Sequence, residues 1–585
     1  MKKLILLSVI FILFNTLILG QANSVELKDG TGTSLGLYSN ITGAYAAITQ
    51  PLSQAYVIEL QNTYDASLEI FPITLNEKSG SGITNTITIR PAVNIVSMTI
   101  TSAQAGSSII FLDGTDYVVL DGRAGGSGSS VLIIENTGTG SNTNTIELKN
   151  GAENNIIRYC DIRNGTTALS GRGVAILGTN NNTGNTNNRI EFCKLTSGRY
   201  KINSNPSNSG FPNHGTVIYG CEFLDIRFVG IWGQSNSGKM YVDSNLFHNL
   251  SPVGNGPYAI LFDAQSDTVF INGNKIYDLD NGTNASDVIG ICIRSTSALN
   301  QGTSYITNNF IALNAENSSS DLITGILYDG ANPVTSHVYF NTVRLTGNGA
   351  SSGTSGSIAT ACFIKDASSD SATSYDIRNN IFVNERTGGV AGAQHIALGI
   401  PDTTKVMDLD YNIYRSSSSL VRWNTTLYND MNLYRSDRSP LEQNSNDSLV
   451  EFISATDLHL TGSSPGNQGL AGISISGYTD DNDGDIRGVV PYRGADEASM
   501  ILSIGENSYD EDILIYPNPA TEEIIIKLSK ALSQYVEIYS SFGTLVKKVK
   551  VNDRISAIDL RSLAPGIYFI RLGKSEGLQK LVIVR

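Results

Sequence analysis

The chain has 585 residues, with 57 Gly, 15 Pro and a formal net charge of −14. Only 16% of the residues are charged and 8% aromatic, which excludes a charge-rich disordered chain, and the scarcity of long runs of helix formers excludes a helical bundle. From residue 512 onward Lys and Arg outnumber Asp and Glu by four, and Lys2 and Lys3 add two more, so about −20 falls on the segment between; a body of that sign repels phosphate backbones and excludes a nucleic-acid partner.

The first 22 residues read as an export signal: Lys2 and Lys3, an apolar run from Leu4 to Leu19, then Gly20 and Ala22. The run is short for a spanning helix, and no later segment is apolar enough to cross a bilayer once the signal is removed. Residues 23–54 are expected to cap the next domain, through a helix at Asn40 to Gln50 that places Ala44, Ala47 and Ile48 on one face.

The main signal is a repeat: an aliphatic residue, two residues, Cys or Asn, one residue, then an apolar residue. It begins at Ile157, Cys160 and Ile162 and passes through Cys193, Cys221, Asn245, Asn274, Asn309, Asn341 and Asn380 to Leu409, Asn412 and Tyr414. The intervals are 33, 28, 24, 29, 35, 32, 39 and 32 residues. One fixed short strand in a coil of variable length points to an all-β solenoid, a right-handed parallel β-helix over residues 55–419. A second apolar, Gly-led strand precedes each copy, as in Gly173 to Ile176, Gly230 to Trp232, Gly290 to Ile293 and Gly325 to Tyr328. Residues 420–498 read as an irregular closing region, 499–511 as a linker, and 512–585 as a small antiparallel Ig-like β-sandwich of short alternating strands.

Cys160, Cys193 and Cys221 occupy the position that Asn holds later, so all nine residues form a structural ladder at one bend. Side chains stacked in parallel leave their Cβ atoms farther apart than the ~3.8 Å of a disulfide, so buried free thiols are expected. Cys292 and Cys362, on the second strand, read the same way. The Asn series is an amide ladder that satisfies turn backbone groups.

The C-terminal residues carry a resemblance. Ile515 to Ala520, with Pro517, Asn518 and Pro519, then Gly543, then Pro565, Gly566 and Tyr568, and a basic end with Lys580 and Arg585, resemble the type A sorting domain of the type IX secretion system of Bacteroidetes. The resemblance implies export, recognition of the tail by outer-membrane machinery, and a cell-surface or extracellular passenger. That passenger is similar, more loosely, to pectin-lyase-like β-helix proteins, and Asp457 to Leu460, Asp483 to Arg487 and Gly494 to Glu497 are similar to their usual closing stretch.

The sharpest catalytic candidates follow the second strands: Asp263, Arg294, Asp329 and Lys365 fall after the apolar strands of successive coils and are expected to form one outward column. A uronate lyase needs carboxylates, often with Ca²⁺, to neutralise the substrate acid, and a Lys or Arg to take the C5 proton. The same alternating signs also suit a cross-strand ion-pair ladder. Asp481, Asp483 and Asp485 stand at alternate positions like the start of a Ca²⁺ loop, but Ile486 and Tyr492 replace the Gly and Glu of an EF-hand. The five histidines form no metal-ligand pair, and Asp267, Asp370, Asp402 and Asp447 begin triplets similar to the O-glycosylation motif of Bacteroidetes. The expectation is a non-catalytic, adhesin-like or glycan-binding surface protein that requires no cofactor; the alternative is a polysaccharide lyase working through the charged column.

Overall fold

The computed structural model describes residues 23–165, 171–178, 183–206, 210–234, 237–248, 256–264, 267–279, 287–295, 302–315, 322–330, 335–348, 358–365, 374–389, 391–400, 406–498, 513–528, 534–540, 543–552, 555–572 and 578–584. The expected export signal and linker lie outside them, as do Asp370, Asp402 and Arg585. The chain divides into two compact units, Met1–Ala498 and Ser499–Arg585.

Among the described residues the first unit builds three long sheets of 14, 13 and 11 strands. From Ile87–Pro91 onward each coil gives one strand to each sheet in turn; one coil contributes Ile156–Arg158 to the first sheet, Cys160–Asn164 to the third and Arg172–Leu177 to the second. The described pairings are parallel from Tyr56–Leu60, which joins Ile87–Pro91, through to Ser419–Trp423. The first unit is therefore a parallel β-helix with an all-β core. Its interior consists of in-register columns such as Ile146, Val174, Ile202, Ile231, Ile260, Ile291 and Ile326, each essentially inaccessible to solvent. Burying each such side chain contributes roughly 1.5–3 kcal/mol.

The sequence repeat marks the bend between the first and third sheets. The residue just before each ladder position has φ between 51° and 65°: Tyr159, Phe192, Gly220, Ser244, Gly273, Asn308, Phe340, Asn379 and Tyr411. Seven of the nine are not Gly, and left-handed backbone costs such residues about 1–2 kcal/mol each, so the bend needs side chains that hold it.

Both ends of the solenoid are closed. At the N-terminus Val25–Asp29 pairs antiparallel with Ser34–Tyr38 on one side and Tyr56–Leu60 on the other, a hairpin with no signature in the sequence reading. The expected helix is shorter, Ile41–Ala46, with Asn40 Oδ1 accepting the Gly43 N–H at 2.8 Å. It buries Ala44, Tyr45 and the following Ile48, whereas Ala47 ends the helix and is exposed. At the other end Thr426–Tyr428 folds back antiparallel, and helix Met431–Arg438, capped by Asp430, lays Tyr434 beside Tyr414 and Trp423.

Residues 440–498 then form a strap running back along the outer face of the third sheet. Val450, Leu460, Leu470 and Tyr492 pack on Ile381, Val383 and Ile413, and Leu458 and Ala495 pack on Phe310 and Ala312.

The second unit is a sandwich of two antiparallel sheets. Ile513–Tyr516, Glu523–Leu528 and Ile555–Asp559 form one; Leu545–Val551, Gln534–Ser540, Gly566–Leu572 and Leu578–Ile583 form the other. Ile524, Ile526 and Ile558 meet Val536, Ile538, Ile570 and Leu581 in a shared core. Strand Ile555–Asp559 is absent from the sequence reading, because its outward residues include an exposed Ile555 that blurs the alternation.

Candidate functional site

The nine ladder residues stack at the bend as expected, and all are buried. Each Asn gives both its backbone N–H and its Nδ2–H to Oδ1 of the Asn one coil further on: Asn245 to Asn274, Asn274 to Asn309, Asn309 to Asn341, Asn341 to Asn380 and Asn380 to Asn412, at 2.9–3.1 Å. The same Nδ2 also reaches back to the aliphatic residue of the previous coil, as in Asn274 to the Val242 carbonyl at 3.0 Å. The thiols serve that second role. Cys193 Sγ lies 3.5 Å from the Ile157 carbonyl and Cys221 Sγ 3.4 Å from that of Ile190, while Asn245 Oδ1 accepts the Cys221 N–H at 2.9 Å and joins the two stacks. All five cysteines are free. These groups are fully engaged in holding the bend.

The charged column forms only in part. On the second sheet Asp263 is in register with Arg294, and Arg294 with Asp329. Arg294 Nε donates to Asp329 Oδ2 at 2.8 Å, and its Nη2 to the Tyr258 hydroxyl at 3.1 Å. Burial lifts the Asp263 carboxyl above the ordinary range while Arg294 acts against the lift, and Asp263 Oδ1 has no hydrogen-bond partner. Lys365 does not belong to the column. It is in register with Tyr328, points into the solenoid and is 1% exposed. The preceding Ile364 is itself outward, aligned with Leu327 and Cys292 in an apolar layer over the outer face of this sheet. An apolar residue on the outside made the strand look one position longer on the inside.

Towards the N-terminus the outer face of the second sheet turns from apolar to polar. The register runs Phe111, Glu147, Ala175, Asn203, Trp232 along one column and Ser108, Asn144, Arg172, Tyr200 along the next. Here lies an open cleft of about 690 Å³, whose lining includes Phe111, Asn142, Asn144, Glu147, Arg172 and Asn205. Arg172 Nε donates to Asn203 Oδ1 at 2.9 Å and its Nη1 approaches Asn144 Oδ1 at 3.3 Å. Burial lowers the Arg172 guanidinium from its ordinary value. Glu147 Oε2 accepts from Ser108 and Asn144, both at 2.8 Å. Beyond Arg172, Tyr200 stacks on Trp232 with ring centres 5.0 Å apart. Arg172, Glu147 and the neighbouring amides are thus fixed by mutual hydrogen bonds and present both donors and acceptors to the cleft, while Lys149 Nζ lies 3.5 Å from the centre of the Phe111 ring beside them. The sequence reading missed this cleft, because its residues fall between the repeat motifs.

The Asp481, Asp483 and Asp485 carboxylates do not converge. Asp481 Oδ1 accepts the N–H groups of Asp483 and Asp485, both at 2.9 Å, and its Oδ2 that of Glu497 at 2.8 Å. Asp483 instead pins the strap, pairing with Lys275 at 2.7 Å and with His459 Nε2, whose Nδ1 meets Asp457. Among the described residues no three Asp, Glu, His or Cys side chains are grouped to hold a metal ion.

Two further devices escaped the sequence. Asn155 pairs with Asn188, and Asn185 with Asn213, in short amide stacks where early coils enter the first sheet. Lys201, fully buried and pushed by burial down to about 7, donates to the Gly198 and Asp225 carbonyls at 3.4 and 2.6 Å. Both devices close corners.

In the second unit Asn518 ties the segment with Pro517 and Pro519 to the last strand, Nδ2 donating to the Lys580 carbonyl at 2.7 Å and Oδ1 accepting the Val582 N–H at 2.9 Å. Tyr568, next to Pro565 and Gly566, donates to the Ala564 carbonyl at 2.8 Å, and Gly543 takes φ 77° in the turn before Leu545–Val551. Residues 514–585 match the model of the secretion system C-terminal sorting domain. The C-terminal unit is a type IX sorting domain. The unit ahead of it is a β-helix passenger, and the sorting domain implies export to the outer surface or the medium. No helix among the described residues is long and apolar enough to cross a membrane.

Two solved structures are similar to the chain. Pectate lyase Pel9A has 13% identity and a TM-score of 0.38, covering 79% of this chain and 92% of its own. PfbA, a surface adhesin of Streptococcus pneumoniae, has 11% identity and a TM-score of 0.32, covering 62% and 90%. No curated protein matches the chain.

Proposed function

We propose that the passenger is a non-catalytic glycan-binding protein, delivered to the cell surface by its sorting domain, with the cleft around Arg172 as its sugar site. The observation that carries this reading is the convergence of Arg172, Asn144, Glu147 and Asn205 in an open cleft of about 690 Å³ on a rigid sheet. Side chains held by each other on parallel strands lose little freedom when a ligand arrives, which favours binding. The two basic residues that the charged column offered to a lyase are committed elsewhere. Arg294 is tied to Asp329 and Tyr258, and Lys365 is inside the core.

The test is a glycan array probed with the exported chain and with Arg172→Ala, beside absorbance assays for unsaturated uronate on acidic polysaccharides with and without Ca²⁺. Binding that falls by at least about tenfold in the variant, with no absorbance change, is the expected result. Release of unsaturated product overturns the non-catalytic reading, and glycan binding indifferent to Arg172→Ala overturns the cleft.

A further inference from the structure

We propose that the sorting domain carries a docking surface for an anionic lipid headgroup layer, formed by the outer face of its four-stranded sheet. Strand alternation sends Val536, Ile538, Ile570 and Leu581 into the core, so the opposite face carries Tyr535, Tyr539, Ile567 and Phe569 among Lys548, Lys550, Arg571 and Lys580. Glu537 is the one acidic side chain among the described residues of this face. Lys548 at 2.7 Å and Arg571 at 2.6 Å neutralise it and, with Tyr539, hold its carboxyl down at about 2. The face therefore keeps a positive excess near neutral pH.

The aromatic and basic groups are interleaved. Lys548 Nζ lies 4.7 Å from the centre of the Tyr535 ring, and the Arg571 guanidinium 5.1 Å from that of Tyr539. Tyr535 and Ile567 are each 46% exposed, although an aromatic and an aliphatic side chain gain by leaving water. Rings with a polar tip settle at headgroup depth, and Lys and Arg beside them are drawn to anionic lipids. An extended sheet face with charges spread across it offers no enclosed pocket for a single acidic side chain, which favours a charged layer over a peptide. The charge asymmetry adds direction: the segment ahead of the tail carries about −20, so the chain approaches an anionic surface with its sorting domain leading.

The experiment is co-sedimentation of the full chain with phosphatidylcholine vesicles, alone or containing about 30% phosphatidylglycerol. Lys550→Glu with Lys580→Glu serves as the charge-reversed variant, since neither side chain holds Glu537. Lys550→Gln with Lys580→Gln serves as the milder one, and circular dichroism checks that both fold. The expected result is binding to anionic vesicles only, reduced at least about tenfold by charge reversal, less by the glutamines, and weakened as salt rises from about 0.05 to about 0.3 M. Equal binding to neutral vesicles, or binding unchanged in the charge-reversed variant, overturns the proposal. So does failure to bind anionic vesicles by a chain that is still delivered to the surface, an outcome that would point to an acidic protein as the occupant.

Discussion

Asn412, the last asparagine of the ladder, gives its backbone N–H to Ser445 Oγ at 2.9 Å rather than to another amide. Ser445 in turn donates to Glu442 Oε2, and Glu442 Oε1 accepts from Tyr414 at 2.8 Å and Tyr434 at 3.2 Å. The column of amides thus ends in a buried carboxyl.

That carboxyl makes the C-terminal turn sensitive to pH. Burial raises Glu442 to about 7, with Ser445, Tyr414 and Tyr434 pulling the other way. An unfolded chain loses this proton near the ordinary glutamate value of about 4.3, while the folded chain keeps it until about 7, so stability falls as pH rises across that window and is level above it. The loss is on the order of 3 kcal/mol. Urea unfolding at a series of pH values will show this slope in the native chain and a flatter profile in Glu442→Gln; parallel profiles refute the assignment.

The ladder itself is expected to dominate local stability. Asn341→Ala leaves the Asn309 N–H and Nδ2 without their acceptor, and the Ile306 carbonyl without its donor at 2.7 Å. Each unsatisfied buried group costs about 1–3 kcal/mol, so a loss of about 4 kcal/mol is expected in equilibrium unfolding. Cys193→Ala removes only weak sulfur contacts, to the Ile157 carbonyl and to the Cys160 and Cys221 thiols, and should cost about 1 kcal/mol. Equal costs would mean that the amides contribute no more than the thiols.

The strap is held by charges that titrate at opposite ends of the range. Burial opposes the charged His459 ring, but hydrogen bonds to Asp457 and Asp483 outweigh it and raise its pKa. Asp483 is lowered: burial acts against it, and Lys275 and His459 prevail. The histidine contribution is full below about 6.5 and disappears as pH rises through the raised value, whereas that of Asp483 is present above about 3.9 and disappears as pH falls through the lowered one. Protection of amides across 450–498 against hydrogen exchange, taken relative to the intrinsic rate at each pH, should be greatest between those limits. His459→Gln should remove the loss of protection on the alkaline side only.

The bend was legible in the sequence because its chemistry is local: a left-handed residue followed by a side chain able to donate to the previous coil leaves a fixed mark of Asn or Cys. The columns of the second sheet were not, since the intervals between its strands vary in length and its outward residues include apolar ones such as Leu327 and Ile364. Ile364 and Lys365 show the effect, one position apart and on opposite faces. The strap escaped for a different reason. Arg487 bonds Asn308 and covers the Phe340 ring, while Arg493 reaches the Asn412 carbonyl, so successive residues answer to different coils and no period survives.

The amide ladder also gives the solenoid a direction. Every asparagine from Asn245 to Asn380 is an unfinished donor until the coil after it arrives, and none depends on the coil before it for an acceptor of its backbone N–H. A chain folding behind its own N-terminus therefore presents a ready template at its growing end, two hydrogens waiting for one oxygen. Growth stops where Ser445 supplies an oxygen but no further amide. In this sense the passenger is a polymer with a head, a tail and a built-in terminator.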